Sequence, residues 1–277
     1  MPDSKYYFEI KPKNNFSLNL KELAEYKELF YFFTWRDIKI KYKQTALGFL
    51  WAVLQPFIMM LVFTFFIGEA LNVPSDGMAY PLFAFSGLIL WTIFSSGLTN
   101  AGNSMLTNSQ IIKKIYFPRL IIPISAILVC VFDFLIAFML FLVLLLYYQQ
   151  PVFVSKAFIF WPIALGVTIV ATFGPGCLLA ALNVKYRDFR YVIPFAVQAL
   201  LFLTPVIYPV SVIQNPVMKF LLALNPMNAP ITIFRIPLTE AAPDMTTIWV
   251  SLASGLLFFF IGLTYFRKTE TYFADLA

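Results

Sequence analysis

The sequence predicts an all-α integral membrane protein: six transmembrane helices, an N-terminal amphipathic interface helix, and short re-entrant helices before the last span. Three observations carry that prediction. Hydrophobic residues fill 60% of the 277 positions and charged residues only 12%, about half of the roughly 25% typical of soluble domains. Apolar runs near 20 residues recur, the length that a bilayer core of about 30 Å requires of a helix. Basic residues gather on alternate connections between those runs.

The opening stretch, 1–45, reads as a polar region outside the bilayer. Within it "NLKELAEYKELFYFF" sets Leu23, Tyr26, Phe30 and Phe33 on one helical stripe, with Lys21, Glu25 and Glu28 on another face. That pattern suits a helix lying in the membrane interface, or else a soluble helix packed on a partner. The following "TWRDIKIKYKQT" brings Arg36, Lys39, Lys41 and Lys43 to the bilayer surface. Such a run anchors a helix through lipid phosphates, or forms a collar that also receives a phosphorylated substrate.

The transmembrane region is expected over 46–266. Its first span, 46–67, has no charge. The second begins near Tyr80 and fades into polar residues after "WTIFSSGLTN". The third, 120–148, is uncharged except at Asp133. A lone intramembrane carboxylate marks either a functional site or a helix–helix hydrogen bond. The fourth covers 157–182, a shorter proline-interrupted fifth covers 191–208, and the last covers 248–266, stopped by Arg267 and Lys268. Helices are required because lipid offers the backbone no other partner. Between spans five and six, "VMKFLLALNPMNAP" and "ITIFRIPL" are apolar pieces too short to cross, and read as re-entrant or interfacial helices. A short tail, 267–277, completes the chain.

Six spans place 1–45, 106–119, 183–190 and 267–277 on one side. They carry nine, three, three and two basic residues, 17 of the 20 in the chain. The positive-inside rule puts that side, with both termini, in the cytoplasm. The formal charge of +6 is then explained by topology beside anionic headgroups, and no nucleic-acid partner is expected. No cleavable signal peptide is expected, because the first apolar run is too long for one. Cys130 and Cys177 both fall within spans and read as small buried apolar residues.

Several chemistries are excluded. There is no histidine, so neither a Ser-His-Asp arrangement nor a histidine metal site is available, and no catalytic or metal-binding residue is expected. No G-x-x-x-x-G-K-[ST] loop is present to cradle nucleotide phosphates, so if the protein moves something against a gradient, the energy is expected to come from another subunit. Aromatic residues make up 18% of the chain. They serve either as stacking faces for sugar rings in a conduit or as ordinary packing and interfacial residues.

Two links between spans carry a family likeness: "NSQIIKKIYFPRLIIPIS" (108–125) and "NVKYRDFRYVIPFAVQALLFLTPVIYP" (183–209). With "RDIKIKYKQTALGFLWAVLQP" (36–56) and "LNPMNAPITIFR" (224–235), they resemble the membrane subunit of ABC-2 type exporters of bacterial cell-surface polysaccharides: O antigens, capsules and teichoic acids. The likeness covers essentially the whole chain, although the part after Asn228 is less typical. It implies a multi-pass protein of the bacterial inner membrane that works as a homodimer with two copies of a separate ATPase. That partner would hold ATP and Mg, and the cargo would be a lipid-linked polysaccharide.

The resemblance also assigns residues. It implies an ATPase-coupling helix over Gln110, Ile111, Lys113, Lys114, Tyr116, Phe117, Pro118 and Arg119, with Ile111, Tyr116 and Phe117 as anchors and Pro118 as a helix stop. Topology alone is the alternative account of its basic residues Lys113, Lys114 and Arg119. Lys185, Tyr186, Arg187, Asp188 and Arg190 form the second cytoplasmic turn. It either contacts the ATPase, braces the N-terminal helix, or is a plain snorkelling turn. Two rival functions share parts of this pattern. An ABC-2 exporter of a small lipid or drug has the same architecture, and a polyprenyl-lipid glycosyl- or phosphotransferase would need carboxylates clustered in a loop.

Overall fold

The computed structural model describes residues 24–43, 45, 47–186, 188–270 and 273; Lys21, Leu23 and Arg187 lie outside that set. The described chain is helical with short connectors. In chain order the helices are α1 (Lys27–Lys43), α2 (Leu50–Phe63, continued by a π-helical stretch Thr64–Ala70), α3 (Tyr80–Thr107) and α4 (Ser109–Ile112). They continue with α5 (Ile121–Tyr147), α6 (Val154–Lys185), α7 (Phe189–Phe202), α8 (Pro216–Ala223), α9 (Asn228–Arg235) and α10 (Met245–Glu270).

Five of these, α2 with its extension, α3, α5, α6 and α10, are long and apolar enough to cross a bilayer. Helix α7 is shorter: its 14 residues reach about 21 Å, too little to cross a bilayer unaided. The non-helical turn after it covers the remaining distance, for Tyr80 at the start of α3 donates to the Ile207 carbonyl (2.7 Å). The chain has therefore changed ends between Asp188 and Ile207. One end of the bundle gathers the basic connections 108–120 and 185–190; the other gathers 71–79, 205–215 and 239–244.

Helices α8 and α9 meet at 97°, and both begin and end at the second face. Their tip dips beside α10. A bent backbone at that depth needs other partners for its polar groups, and α10 supplies them. Ser251 Oγ donates to the Asn225 carbonyl (2.7 Å) and accepts from Ala229 N (2.9 Å). Ser254 Oγ donates to the Leu224 carbonyl (2.6 Å). The Asn225 side chain donates to Thr204 Oγ1 (2.7 Å), tying the tip to the end of α7. Short apolar pieces broken by proline thus form a re-entrant hairpin.

Helix α3 is the central element, packed against α6 and α5 and buried along most of its length. Its core contacts include an aromatic cluster in which Phe138 and Phe141 of α5, Trp161 of α6 and Phe234 of α9 lie with ring centroids 5.3–6.3 Å apart. These rings pack on one another. Helices α6 and α10 touch backbone to backbone at Gly174 and Gly262, where a methyl group on Gly262 would collide with the Gly174 carbonyl. Small residues permit this close approach in membranes, where packing rather than water drives association. Cys130 and Cys177 are buried and form no disulfide.

Candidate conduit and coupling surface

The polar residues into which the second span fades form a stripe. Thr92, Ser95, Ser96, Thr99 and Asn100 recur at helical spacing on α3, and they line a groove of about 420 Å³. Gln55 and Pro56 of α2 form one bank, Pro194 and Gln198 of α7 the other, and Trp91 presents an indole between them. None of the residues lining this groove is charged.

The α3 hydroxyls are tied to their own helix. Thr92 donates to the Leu88 carbonyl (2.8 Å), Ser95 to Thr92 (3.4 Å) and Thr99 to Ser95 (2.9 Å). Such back-bonding satisfies each hydroxyl proton and leaves the oxygen lone pairs as acceptors, while Gln55 and Gln198 add amide donors. The stripe continues toward the basic end through Asn103, whose side-chain oxygen accepts from Asn183 Nδ2 (2.9 Å). Uncharged acceptors and donors along a membrane-deep groove offer a hydroxylated chain many weak bonds and no strong one. The sequence signal was the spacing of Thr92, Ser95, Ser96 and Thr99, which a hydropathy reading records only as a fading span.

At the basic end, the described part of the expected stripe, Tyr26, Phe30 and Phe33, packs on the protein itself. Phe33 is buried 5.7 Å from the Phe117 ring, and Ile38 and Tyr42 pack with Val129 and Phe132 of α5. Helix α1 therefore climbs beside the first half of α5. At its top Asp133, 5% exposed, accepts from Lys41 Nζ and from the Tyr42 hydroxyl. Burial first, and then the bond to Asp133, push the Tyr42 phenol well above its ordinary pKa. The intramembrane carboxylate thus has a cationic partner that sequence reasoning did not pair with it.

The four basic residues near the surface divide into two pairs. Arg36 bridges Asp37 (2.7 Å) and donates to Asn108 Oδ1 at the end of α3 (2.8 Å), and Lys41 is held by Asp133. Lys39, over the Trp35 ring at 5.3 Å, and Lys43 remain exposed.

In the 108–119 link the helix is shorter than expected, because α4 ends at Ile112. Pro118 does not stop it; its carbonyl accepts from Ile121 N at the entry to α5 (3.1 Å). Phe117 turns inward onto Phe33, which corrects the expectation that it seats on a partner. Ile115 and Tyr116, 62% and 76% exposed, are the outward apolar pair. Gln110, Lys113 and Lys114 are also exposed, and Ile111 is half-buried. Arg119 is bound within the chain, its guanidinium donating to the Glu270 carbonyl at the end of α10. On the second turn Lys185, Tyr186, Asp188 and Arg190 all stand exposed. Among the described residues no three of His, Cys, Asp and Glu gather as a metal site would require.

Comparison with known proteins matches residues 28–239 to the family model described as ABC-2 type transporter. The chain is 28% identical over 261 residues to the O-antigen export system permease protein RfbA of Myxococcus xanthus, covering 92% of this chain and 98% of the relative. It is 27% identical over 241 residues to RfbA of Klebsiella pneumoniae (87% and 92%). It is 24% identical over 242 residues to the polysialic acid transport protein KpsM of Escherichia coli (85% and 91%).

Proposed function

This chain belongs to the ABC-2 type transporter family, and on that premise we propose that it is the membrane subunit of an ATP-driven exporter. Its cargo is a lipid-linked cell-surface polysaccharide, carried across the cytoplasmic membrane of a bacterium. The observation that carries the reading is the groove, where hydroxyls, amides and one indole stand among aliphatic side chains such as Leu88 and Val197, with no charge along it. A wall of this kind suits a sliding chain of sugar rings, because each bond is exchanged for an equivalent one a step further on. Relatives named for O-antigen export and polysialic acid transport agree with that cargo.

The groove has an open side between α2 and α7. Helix α2 leaves Trp51, Ile58, Leu61 and Phe65 exposed on the chain. A second copy of the chain closes the conduit in the homodimer. ATP and Mg belong to two copies of a separate ATPase, which engage Gln110, Ile111, Lys113, Lys114, Ile115 and Tyr116, with the turn at 185–190 beside them. Aromatic and aliphatic side chains act as the anchors of such a contact and the lysines orient it. The basic end, with both termini, faces the cytoplasm. Lys39 and Lys43 attract the phosphate of the lipid carrier at that surface, while Arg36 and Lys41 hold α1 in place.

The test is reconstitution of the chain with its candidate ATPase in proteoliposomes. A lipid-linked glycan added to the cytoplasmic face should stimulate ATP turnover and reach the opposite leaflet, and the double variant K39Q/K43Q should weaken the response severalfold. Glycan movement by the chain without ATPase, or failure of every lipid-linked glycan to stimulate turnover, refutes the proposal. A second reading, export of a small lipid, is favoured by an apolar cavity of about 520 Å³ lined by Leu98, Leu179, Leu200, Leu221 and Phe258. Phospholipid transfer in the same vesicles decides between the two.

A further inference from the structure

The end of the bundle away from the basic loops holds a second cavity, of about 320 Å³, whose lining sets four charged side chains among apolar ones and which is separate from the groove. It is bounded by the 71–79 loop, the connector after α7, α8, α9 and the segment before α10. Its volume is at the lower end of the range for small-molecule sites, about 300–1,000 Å³, the scale of a sugar residue rather than a polymer.

Charge on its walls is balanced and spatially fixed. Arg235, 7% exposed, reaches the cavity from α9. Its guanidinium donates to Ser86 Oγ (3.1 Å) and to the carbonyls of Pro205 (2.8 Å), Phe83 (2.8 Å) and Val206 (3.1 Å). Those bonds use four of the five N–H groups that a guanidinium carries. Asp76 sits at the rim in a left-handed turn, φ +49°. Its Oδ1 accepts from Ser211 Oγ (2.7 Å) and its backbone carbonyl from Thr239 Oγ1 (3.1 Å), leaving Oδ2 open among the described residues. Opposite, Lys219 and Asp244 pair at 2.5 Å.

This composition discriminates among ligands. A phosphate entering the cavity meets two carboxylates, and a metal cation meets an arginine and a lysine. A neutral polyol satisfies both, because its hydroxyls donate to the acceptor-only carboxylates and accept from the donor-only guanidinium and ammonium. The fixed positions of Arg235 and Asp76 also lower the ordering cost of binding. We propose that this cavity is a sugar-binding site that holds one neutral residue of the exported glycan at the outer mouth, an inference that rests on the export reading above.

The test uses the full chain in nanodiscs, with a panel of neutral methyl pyranosides and N-acetylhexosamines as probes and inorganic phosphate and a uronic acid as comparators. Saturation-transfer NMR should detect at least one neutral sugar and neither comparator. Asp76→Gly keeps the left-handed turn that glycine accepts and should weaken that signal about tenfold, a change worth about 1.4 kcal/mol. The unfolding midpoint of the variant should stay unchanged. Absence of any neutral sugar signal, preference for phosphate or uronate, or a signal insensitive to Asp76→Gly overturns the proposal. The two readings fail separately. Wild-type glycan export with no sugar binding removes only the cavity, whereas sugar binding without glycan-stimulated ATP turnover removes the export reading.

Discussion

Lys41 at the end of α1 and Asp133, twelve residues into α5, form an ion pair in which the carboxylate is 5% exposed and the lysine side chain 41%. Asp133 also accepts from the Tyr42 hydroxyl, so two successive α1 side chains converge on one buried acid. The pair fixes how far α1 climbs beside α5. Phe33 against Phe117 holds the earlier part of the same helix beside the 108–119 link. Arg36 of the same helix also joins the end of α3 through Asn108.

Removing the lysine should cost more than neutralising the acid. Lys41→Met leaves a buried carboxylate with only Tyr42 as partner. We expect a loss of about 2–3 kcal/mol, below the roughly 3–5 of a fully buried pair because Lys41 is partly solvated. Asp133→Asn keeps an acceptor for Tyr42 and should cost about half as much. Thermal unfolding in detergent measures both, and equal effects would show that the pair does not hold the helix.

Arg235 should not be replaceable by lysine. Its planar fork reaches three carbonyls and a hydroxyl on two other parts of the chain, and it lies 3.6 Å over the Phe83 ring. An ammonium has three donors and no plane. Arg235→Lys should therefore destabilise by at least about 2 kcal/mol, since each buried carbonyl left alone costs about 1–3. Limited proteolysis within residues 203–244, before any cleavage elsewhere, is the expected signature.

The contact between α6 and α10 gives a paired test with two glycines of the same helix. Gly262→Ala should lower the unfolding midpoint sharply, because its methyl would meet the Gly174 carbonyl. Gly255→Ala should be neutral or mildly stabilising, as its added methyl finds its nearest neighbour at 3.6 Å and alanine favours helix by about 1 kcal/mol. If both substitutions behave alike, the backbone contact is not tight.

The Lys219–Asp244 pair predicts a pH dependence at the second face. The bond from Lys219, with lesser help from Thr247, holds the Asp244 carboxyl below its ordinary value of 3.8. A depressed folded-state pKa contributes stability that is fully present above the unfolded value and is lost as pH falls through the lower folded one. Opening around residues 239–247, followed by hydrogen exchange, should rise below about pH 4. In Lys219→Met that acid-dependent step should shrink, and an unchanged step would assign it to another group.

Groove variants separate conduit from scaffold. Ser95→Leu with Thr99→Leu replaces acceptor oxygens by hydrocarbon on half-buried positions and should leave the unfolding midpoint within about 0.5 kcal/mol-equivalent of wild type. Glycan transfer in proteoliposomes should fall at least tenfold. Transfer at the wild-type rate would place the glycan path elsewhere.

The all-helical membrane architecture, the short broken helices before the last span and the basic end were legible in the sequence, because the bilayer imposes them locally. Each span must be long and apolar, each break must lie where a proline or charge permits, and lysines collect on one side. Four quoted segments sufficed to indicate the family for the same reason. What the sequence left open are relations between residues far apart in the chain. Asp133 read as a lone acid because its partner lies 92 positions away on a helix outside the spans. Phe117 read as a partner-facing anchor because only the packing of α1 shows that Phe33 covers it. The polar stripe on α3 became a groove, and Arg235 a buried clamp, only when α2, α7 and the hairpin were placed around them. Hydropathy and periodicity report each helix against its solvent, whereas pairing energies between helices depend on register and depth, which the folded chain alone decides.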